Sequence, residues 1–330
     1  MSLARDNVPG GYNLAVGEPF FLQKIYGALY PKIADGAMQY PPMNGDADLI
    51  NLIKPMVSHQ NVVVTNGAKQ AILAAMYALQ KVDPNLTQIF HQVPYWPTYP
   101  TLAELSNLSF ATLNNSVTML NRGVFARILT SPNNPDGNIE PPSSVRWDIW
   151  DAAYASPIYG WDRIVPHHKM SVWSAAKLFG VSSYRIGWLA TADKELARHA
   201  AEYVEKTTSG VSVPSQRFLY HFLGNLNVRG RDGVADLETQ ARMELVQTSG
   251  QFLRLEPLFR EIRGFPRNGQ GMFAWVQPFD PVSFREVLVK AKVKAVSGHF
   301  CGADSSWFRF SLGLTADSME KAVNQIIANL

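Results

Sequence analysis

The chain has 330 residues, which suggests two domains, and 46% of them are apolar, enough for a substantial core. Its net charge of +3 is small and scattered, which argues against nucleic acid as a partner. Cys301 is the single cysteine and excludes an internal disulfide. No apolar run approaches the ~18 residues of a membrane span, and Met1 to Gly11 lacks the layout of a signal peptide. A cytoplasmic protein is the expectation. Charged residues make up only 17%, against the ~25% usual for globular chains. Surface hidden in an oligomer would account for that, so a dimer is expected.

Val62–Thr65 reads as a strand running into Asn66-Gly67. Ala68–Gln80 follows as a helix with Ile72, Leu73, Met76 and Leu79 on one face. Gly67, Ala68 and Lys69 open that helix. Small residues there leave backbone N–H groups exposed, and the helix dipole favours an anion. An ordinary strand-to-helix turn explains the same residues. Neither the Walker pattern nor the dinucleotide fingerprint is present, so a single phosphate suits the turn better than a nucleotide.

Ile89–Val93 is the next strand and ends in Pro94-Tyr95-Trp96-Pro97. Trp96 can stack on a flat ring or fill the core. Phe125–Thr130 ends in Ser131-Pro132-Asn133-Asn134-Pro135-Asp136-Gly137, a turn that needs no function to explain it. Val145–Trp150 ends in Asp151-Ala152-Ala153-Tyr154. Asp151 is either a carboxylate for a protonated heterocycle or a helix N-cap, and Tyr154 is either its companion or a packing residue. Met170–Trp173 ends in Ser174-Ala175-Ala176-Lys177, and Arg185 follows eight residues after the lysine. Serine and arginine can grip a phosphate, and a lysine of lowered pKa can form a Schiff base. Solvated surface charge is the competing explanation. Ile186–Thr191 is a further strand.

Strands alternating with helices predict an α/β fold with a mostly parallel sheet. Ligands in such sheets bind beyond the carboxyl ends of the strands, where the unusual loops lie. Asp236–Leu258 reads as a long helix. Met272–Val276 and Trp307–Leu312 then read as strands, and Asp317–Asn329 as a closing helix. The domain change is placed near residue 238, with a large domain over 30–238 and a small α+β domain from 1–29 and 239–330. Arg309 inside an apolar strand is costly unless paired; it either binds a carboxylate or faces solvent. His167 and His168 point apart, and no metal-ligand spacing accompanies them. No Gly-x-Ser-x-Gly elbow of a serine hydrolase is present.

The order of Gly17, Tyr40, Gly67, Trp96, Asn134, Asp151, Tyr154, Lys177, Arg185 and Arg309 resembles the class I/II aminotransferases of pyridoxal 5′-phosphate (PLP) fold type I. The resemblance runs from about Asn13 to Leu312. Its specific parts are Asn-Asn-Pro-Asp-Gly, Asp-x-x-Tyr, and Ser-x-x-Lys with an arginine eight residues on. It implies an aspartate aminotransferase-like fold with PLP as cofactor. Lys177 would hold PLP as a Schiff base and carry protons, and Asp151 would keep the pyridine nitrogen protonated. Asn134 and Tyr154 would bond the ring oxygen, and Trp96 would stack on the ring. Gly67, Ala68, Lys69, Ser174 and Arg185 would cradle the phosphate, joined by Tyr40 from the neighbouring subunit of a homodimer. Gly17, Asn134 and Arg309 would meet the substrate. Asn13–Pro19, Thr130–Gly137 and Lys177–Trp188 are similar to the alliinase and plant tryptophan-aminotransferase group. Departures are Ala176, where a serine is common, Val181–Tyr184, where a glycine is common, and a short N-terminus.

The implied activity is transfer of an amino group from an L-amino acid to a 2-oxo acid. Tyr12, Phe20, Tyr95, Trp96 and Tyr154 lean toward an apolar or aromatic substrate side chain. A carbon–sulfur or β-elimination lyase of the alliinase type is the alternative on the same cofactor. A non-catalytic PLP-binding regulatory module is a third reading. No helix-turn-helix fits before Asn13, and a pure sensor need not keep both Lys177 and Arg309.

Overall fold

The structure, a computed structural model, describes residues 10–15, 19–29, 40–57, 59–113, 124–140, 146–161 and 169–330. Gly17, Val145, His167 and His168 lie outside the described residues. In chain order the strands are β1 (Tyr12–Asn13), β2 (Asn61–Thr65), β3 (Leu86–Gln92), β4 (Ser109–Leu113), β5 (Val124–Thr130), β6 (Asp148–Asp151), β7 (Met170–Ser174), β8 (Gly187–Thr191), β9 (Phe259–Gly264), β10 (Phe273–Pro278), β11 (Val293–Lys294), β12 (Val296–Ser297) and β13 (Phe308–Ser311).

A seven-stranded sheet has the order β2-β8-β7-β6-β5-β3-β4. From β7 to β4 all neighbours are parallel, and only β8 runs against both of its neighbours. β6, β7 and β8 are buried at every residue. Strands covered on both faces read as continuous apolar runs, which is why Met170–Ser174 and Gly187–Thr191 show little alternation. The helix Gly67–Val82 is one cover. It buries Ala71, Ile72, Ala74, Ala75, Met76, Ala78 and Leu79, while Leu73 is only half-buried. The alanines widen the buried face beyond the predicted stripe, because this helix packs against both the sheet and the helix Lys194–Thr208. Asp193 caps the latter, accepting from the N–H groups of Glu195 and Leu196.

A second, antiparallel sheet has the order β12-β13-β10-β9. β1 pairs in parallel with β11, and Ser311 donates its N–H to the Leu14 carbonyl at 2.7 Å, so the N-terminal segment lies against the second half of the chain. The long helix begins at Gly230, six residues before the predicted start, and runs through residue 238 to Phe252. Two glycines in its first turns hid that start. Leu253–Leu258, predicted to continue it, tighten into 3-10 turns that contain Pro257.

Candidate functional site

The carboxyl ends of β5, β6 and β7 open on one pocket, beside the first turn of the helix that follows β2. Among the described residues, four cations and one carboxylate line it: Lys69, Lys177, Arg185, Arg309 and Asp151.

One end is an anion corner. Gly67 opens a 16-residue helix at φ +77°, and Asn66 gives no side-chain cap. A helix N-terminus presents its first-turn N–H groups to an anion. A Cβ on Gly67 would stand 2.7 Å from Nη2 of Arg185, so the glycine makes room for the guanidinium. Arg185 itself has φ +53°, a left-handed conformation that costs a non-glycine residue roughly 1 kcal/mol. Its Nη1 donates to the Ser182 carbonyl at 3.0 Å. Gly187 on β8 allows the close approach behind this corner, since a Cβ there would meet the Gly67 carbonyl carbon at 2.7 Å. Ala68, Lys69, Ser174 and Ser182 complete the lining, and Ser174 does not cap the helix it precedes.

The middle holds Lys177 and Asp151. Lys177 lies on the short helix Ala175–Phe179 after β7, and its carbonyl accepts from the Tyr159 hydroxyl at 2.6 Å. Asp151 ends β6 and is 4% exposed. Its Oδ1 accepts from the Ala153 N–H at 3.1 Å, and its Oδ2 lies 2.6 Å from the Tyr99 hydroxyl oxygen. Burial raises its pKa, against the Tyr99 and Ala153 hydrogen bonds and the charge of Lys177. Trp96 is half-buried, meets Tyr99 edge-on, and carries the Lys69 ammonium 5.7 Å from its ring centroid.

The far end is built on Arg309. It pairs with Trp275 of β10 and Val296 of β12 in the small sheet and is 3% exposed. Nη1 donates to Oδ1 of Asn134 and Nη2 to the Ala15 carbonyl, each at 2.9 Å, and the guanidinium lies 4.7 Å from the Phe273 ring centroid. Its Nε has no partner, and it makes no ion pair among the described residues. Burial lowers its pKa. Asn134 is presented by a turn that Asp136 ties together, accepting from Nδ2 of Asn133 and of Asn138. Tyr154 is buried beside these groups; burial raises its pKa, opposed first by the charge of Arg309, so it stays a phenol at neutral pH.

Ala68, Lys69, Trp96, Asn134, Asp151, Tyr154, Ser174, Lys177, Arg185 and Arg309 thus share one pocket, with Gly67 just behind it. Arg309 is not on a solvent face. Tyr40 is 87% exposed and does not line the pocket of its own chain. Of the five aromatics weighed for substrate preference, only Trp96 and Tyr154 line it; Tyr95 packs on Phe110 instead. Sequence reasoning missed Ala15, Tyr99, Thr130 and Phe273. Tyr99 carried the one available signal, three residues after Trp96 at the start of the helix Tyr99–Leu105.

The set suits a phosphorylated heterocyclic aldehyde. The glycine cradle and the helix N-terminus suit the phosphate, the buried carboxylate suits a protonated ring nitrogen, and the lysine amine suits the aldehyde.

The comparisons agree with this chemistry. Tryptophan aminotransferase-related protein 2 of Arabidopsis thaliana is 34% identical over 160 residues, 47% of this chain and 36% of that protein. The matches to two rice proteins of similar name likewise span about a third of their length, 36% and 34%. A bifunctional aspartate aminotransferase and glutamate/aspartate-prephenate aminotransferase of Petunia hybrida is 25% identical, over 95% of this chain and 75% of that protein. Among solved structures, an aspartate aminotransferase double mutant of Thermus thermophilus superposes with a TM-score of 0.74 at 19% identity, over 96% of this chain and 91% of that one. The allinase family model matches residues 53–330, and the chain belongs to that PLP-dependent family, on the class I/II aminotransferase fold known as PLP fold type I.

Proposed function

We propose that the protein is a PLP-dependent aminotransferase, moving the amino group of an L-amino acid to a 2-oxo acid. The observation that carries this reading is Arg309. A cation this buried, without an acidic partner among the described residues and with an unused Nε, calls for an anionic ligand. It faces the same pocket as Lys177 and Asp151.

PLP, when bound, supplies an electron sink for charge developing at the substrate Cα. Lys177 would be the residue that holds the aldehyde carbon and would serve as base and acid for the substrate Cα proton. Asp151 as a carboxylate keeps the ring nitrogen protonated. Tyr154, a phenol at neutral pH, donates to the ring oxygen together with Asn134. Gly67, Ala68, Lys69, Ser174 and Arg185 bind the phosphate, and Trp96 flanks the ring. Arg309 takes the substrate carboxylate, with Asn134 and the Ala15 carbonyl fixing the guanidinium. Gly17 is assigned to substrate binding by resemblance alone. Tyr40, exposed on its own chain, serves the phosphate of a second copy, so the working form is a homodimer. The large domain spans 30–238 and the small one 1–29 and 239–330. Trp96, Tyr154, Phe273 and Ala15 give the pocket apolar walls, which favours an apolar or aromatic substrate side chain.

The allinase match favours a second reading, a carbon–sulfur or β-elimination lyase on the same residues. The two differ in product. PLP-loaded protein is mixed with single amino acids and no oxo-acid acceptor, and the cofactor spectrum and ammonia are followed. One conversion to pyridoxamine phosphate, then arrest, is the aminotransferase result. Ammonia accumulating over many turnovers overturns it in favour of the lyase.

A further inference from the structure

Behind Asp151 runs a chain of buried polar side chains. Oδ2 of Asp151 is 2.6 Å from the Tyr99 hydroxyl, which is 2.6 Å from Oγ1 of Thr130, which is 3.1 Å from Nε2 of His91. Nδ1 of His91 is 2.6 Å from the Gln92 carbonyl oxygen. All four residues are under 5% exposed, and the His91 and Tyr99 rings stack at 5.2 Å.

A proton count constrains this chain. A carbonyl only accepts, so His91 Nδ1 must carry a proton there. The remaining contacts, His91 to Thr130, Thr130 to Tyr99 and Tyr99 to Asp151, each need one proton. The two hydroxyls supply one each. With a neutral His91 and an ionised Asp151, one contact sets two lone pairs against each other. One extra proton removes the conflict. On His91, all donors point toward Asp151; on Asp151, all donors point toward His91. Either way the chain is net neutral, as burial demands.

We infer that Tyr99, Thr130 and His91 are positioning residues that store this extra proton with Asp151, and that in the cofactor-free protein it resides on the Asp151 carboxyl. This rests on the proposed role of Asp151 toward PLP. Burial disfavours both charges of the alternative, lowering His91 to about 4 and raising Asp151. The charged and titratable groups facing the chain among the described residues include Arg127 on β5, which further opposes a charged His91, Lys177 after β7, which opposes the neutral Asp151, Tyr154 after β6, and Tyr95, whose ring lies edge-on to His91. Burial outweighs the Lys177 charge at Asp151. When a pyridine nitrogen meets Asp151, the carboxyl O–H bond breaks and an N–H bond forms on the ring. Tyr99 then turns its proton toward the new carboxylate, and Thr130 turns toward Tyr99. The lost proton is felt at the longest contact, 3.1 Å between Thr130 and His91.

Infrared spectroscopy of the full chain without cofactor tests this. At neutral pH a protonated-carboxyl stretch is expected that disappears in Asp151→Asn, diminishes when PLP is added, and moves to higher frequency in Tyr99→Phe, which removes its acceptor. Nitrogen NMR should show His91 singly protonated, with Nε2 an acceptor. Tyr99→Phe should raise the PLP dissociation constant roughly tenfold, the worth of one hydrogen bond to a charged group. No Asp151-dependent band, a band indifferent to Tyr99→Phe, or a doubly protonated His91 would overturn the inference. Protein that takes up no PLP contradicts the proposed function instead, while the cofactor-free spectra still decide where the proton lies.

Discussion

Replacing Arg309 by glutamine tests the substrate end of the site. The guanidinium spends one N–H on Asn134 and one on Ala15, each at 2.9 Å, which leaves further donors, Nε among them, for a carboxylate. Charge-assisted hydrogen bonds contribute about 1.5–3 kcal/mol each, so the loss for an amino acid is about 3 kcal/mol after allowing for non-additivity, or roughly a hundredfold in kcat/KM. Glutamine can still donate to one of the two acceptors, and removal of a buried cation offsets part of the lost bonding. The change in folding stability should therefore stay within about 2 kcal/mol. The assay is the rate of cofactor conversion in single half-reactions, comparing an amino acid with the amine that lacks its carboxylate. Arg309→Gln should depress the amino acid roughly a hundredfold and leave the amine nearly unchanged. Equal loss for both would show that Arg309 supports packing and not carboxylate binding.

Other outcomes follow from the same geometry. Gly67→Ala puts a Cβ 2.7 Å from the Arg185 guanidinium at a φ of +77°; PLP retention on dialysis should fall at least tenfold, with inorganic phosphate a weaker competitor than in the parent. Tyr159→Phe removes the 2.6 Å bond to the Lys177 carbonyl; denaturant titration should show a loss of about 1 kcal/mol. His91 has its pKa depressed by burial from 6.5 to about 4. The unfolded chain therefore binds more protons between those values, and stability present above pH 6.5 is lost as pH falls toward 4, by a total on the order of 3 kcal/mol. His91→Gln should flatten the stability profile of the cofactor-free protein in that window.

The loops that follow the strands were legible because their composition is local: an Asn-Asn-Pro-Asp-Gly turn, Asp-x-x-Tyr and Ser-x-x-Lys are visible without knowing the sheet. The helix after β2 was legible by its period, though Leu73 is less buried than the alanines beside it. The chain from His91 to Asp151 was not legible. Its members come from β3, the helix Tyr99–Leu105, β5 and β6, and they meet only because the register sets Thr130 beside Asp151 across two parallel strands. Phe273 looks like an ordinary strand residue in the sequence, since nothing in Met272–Val276 shows that Arg309 will lie over its ring. The reversal of β8 was hidden as well. Periodicity reports burial and carries no strand direction. Arg185 shows the opposite case: its spacing from Lys177 marked it, while its left-handed backbone emerged only from the fold.

If Lys177 is the cofactor lysine, chemical reduction will fix PLP to it. PLP-loaded protein is reduced with borohydride, digested, and the peptides weighed. A phosphopyridoxyl group is expected on Lys177 and none in Lys177→Ala treated alike. A label on Lys69 or another lysine, or no label at all, would contradict it.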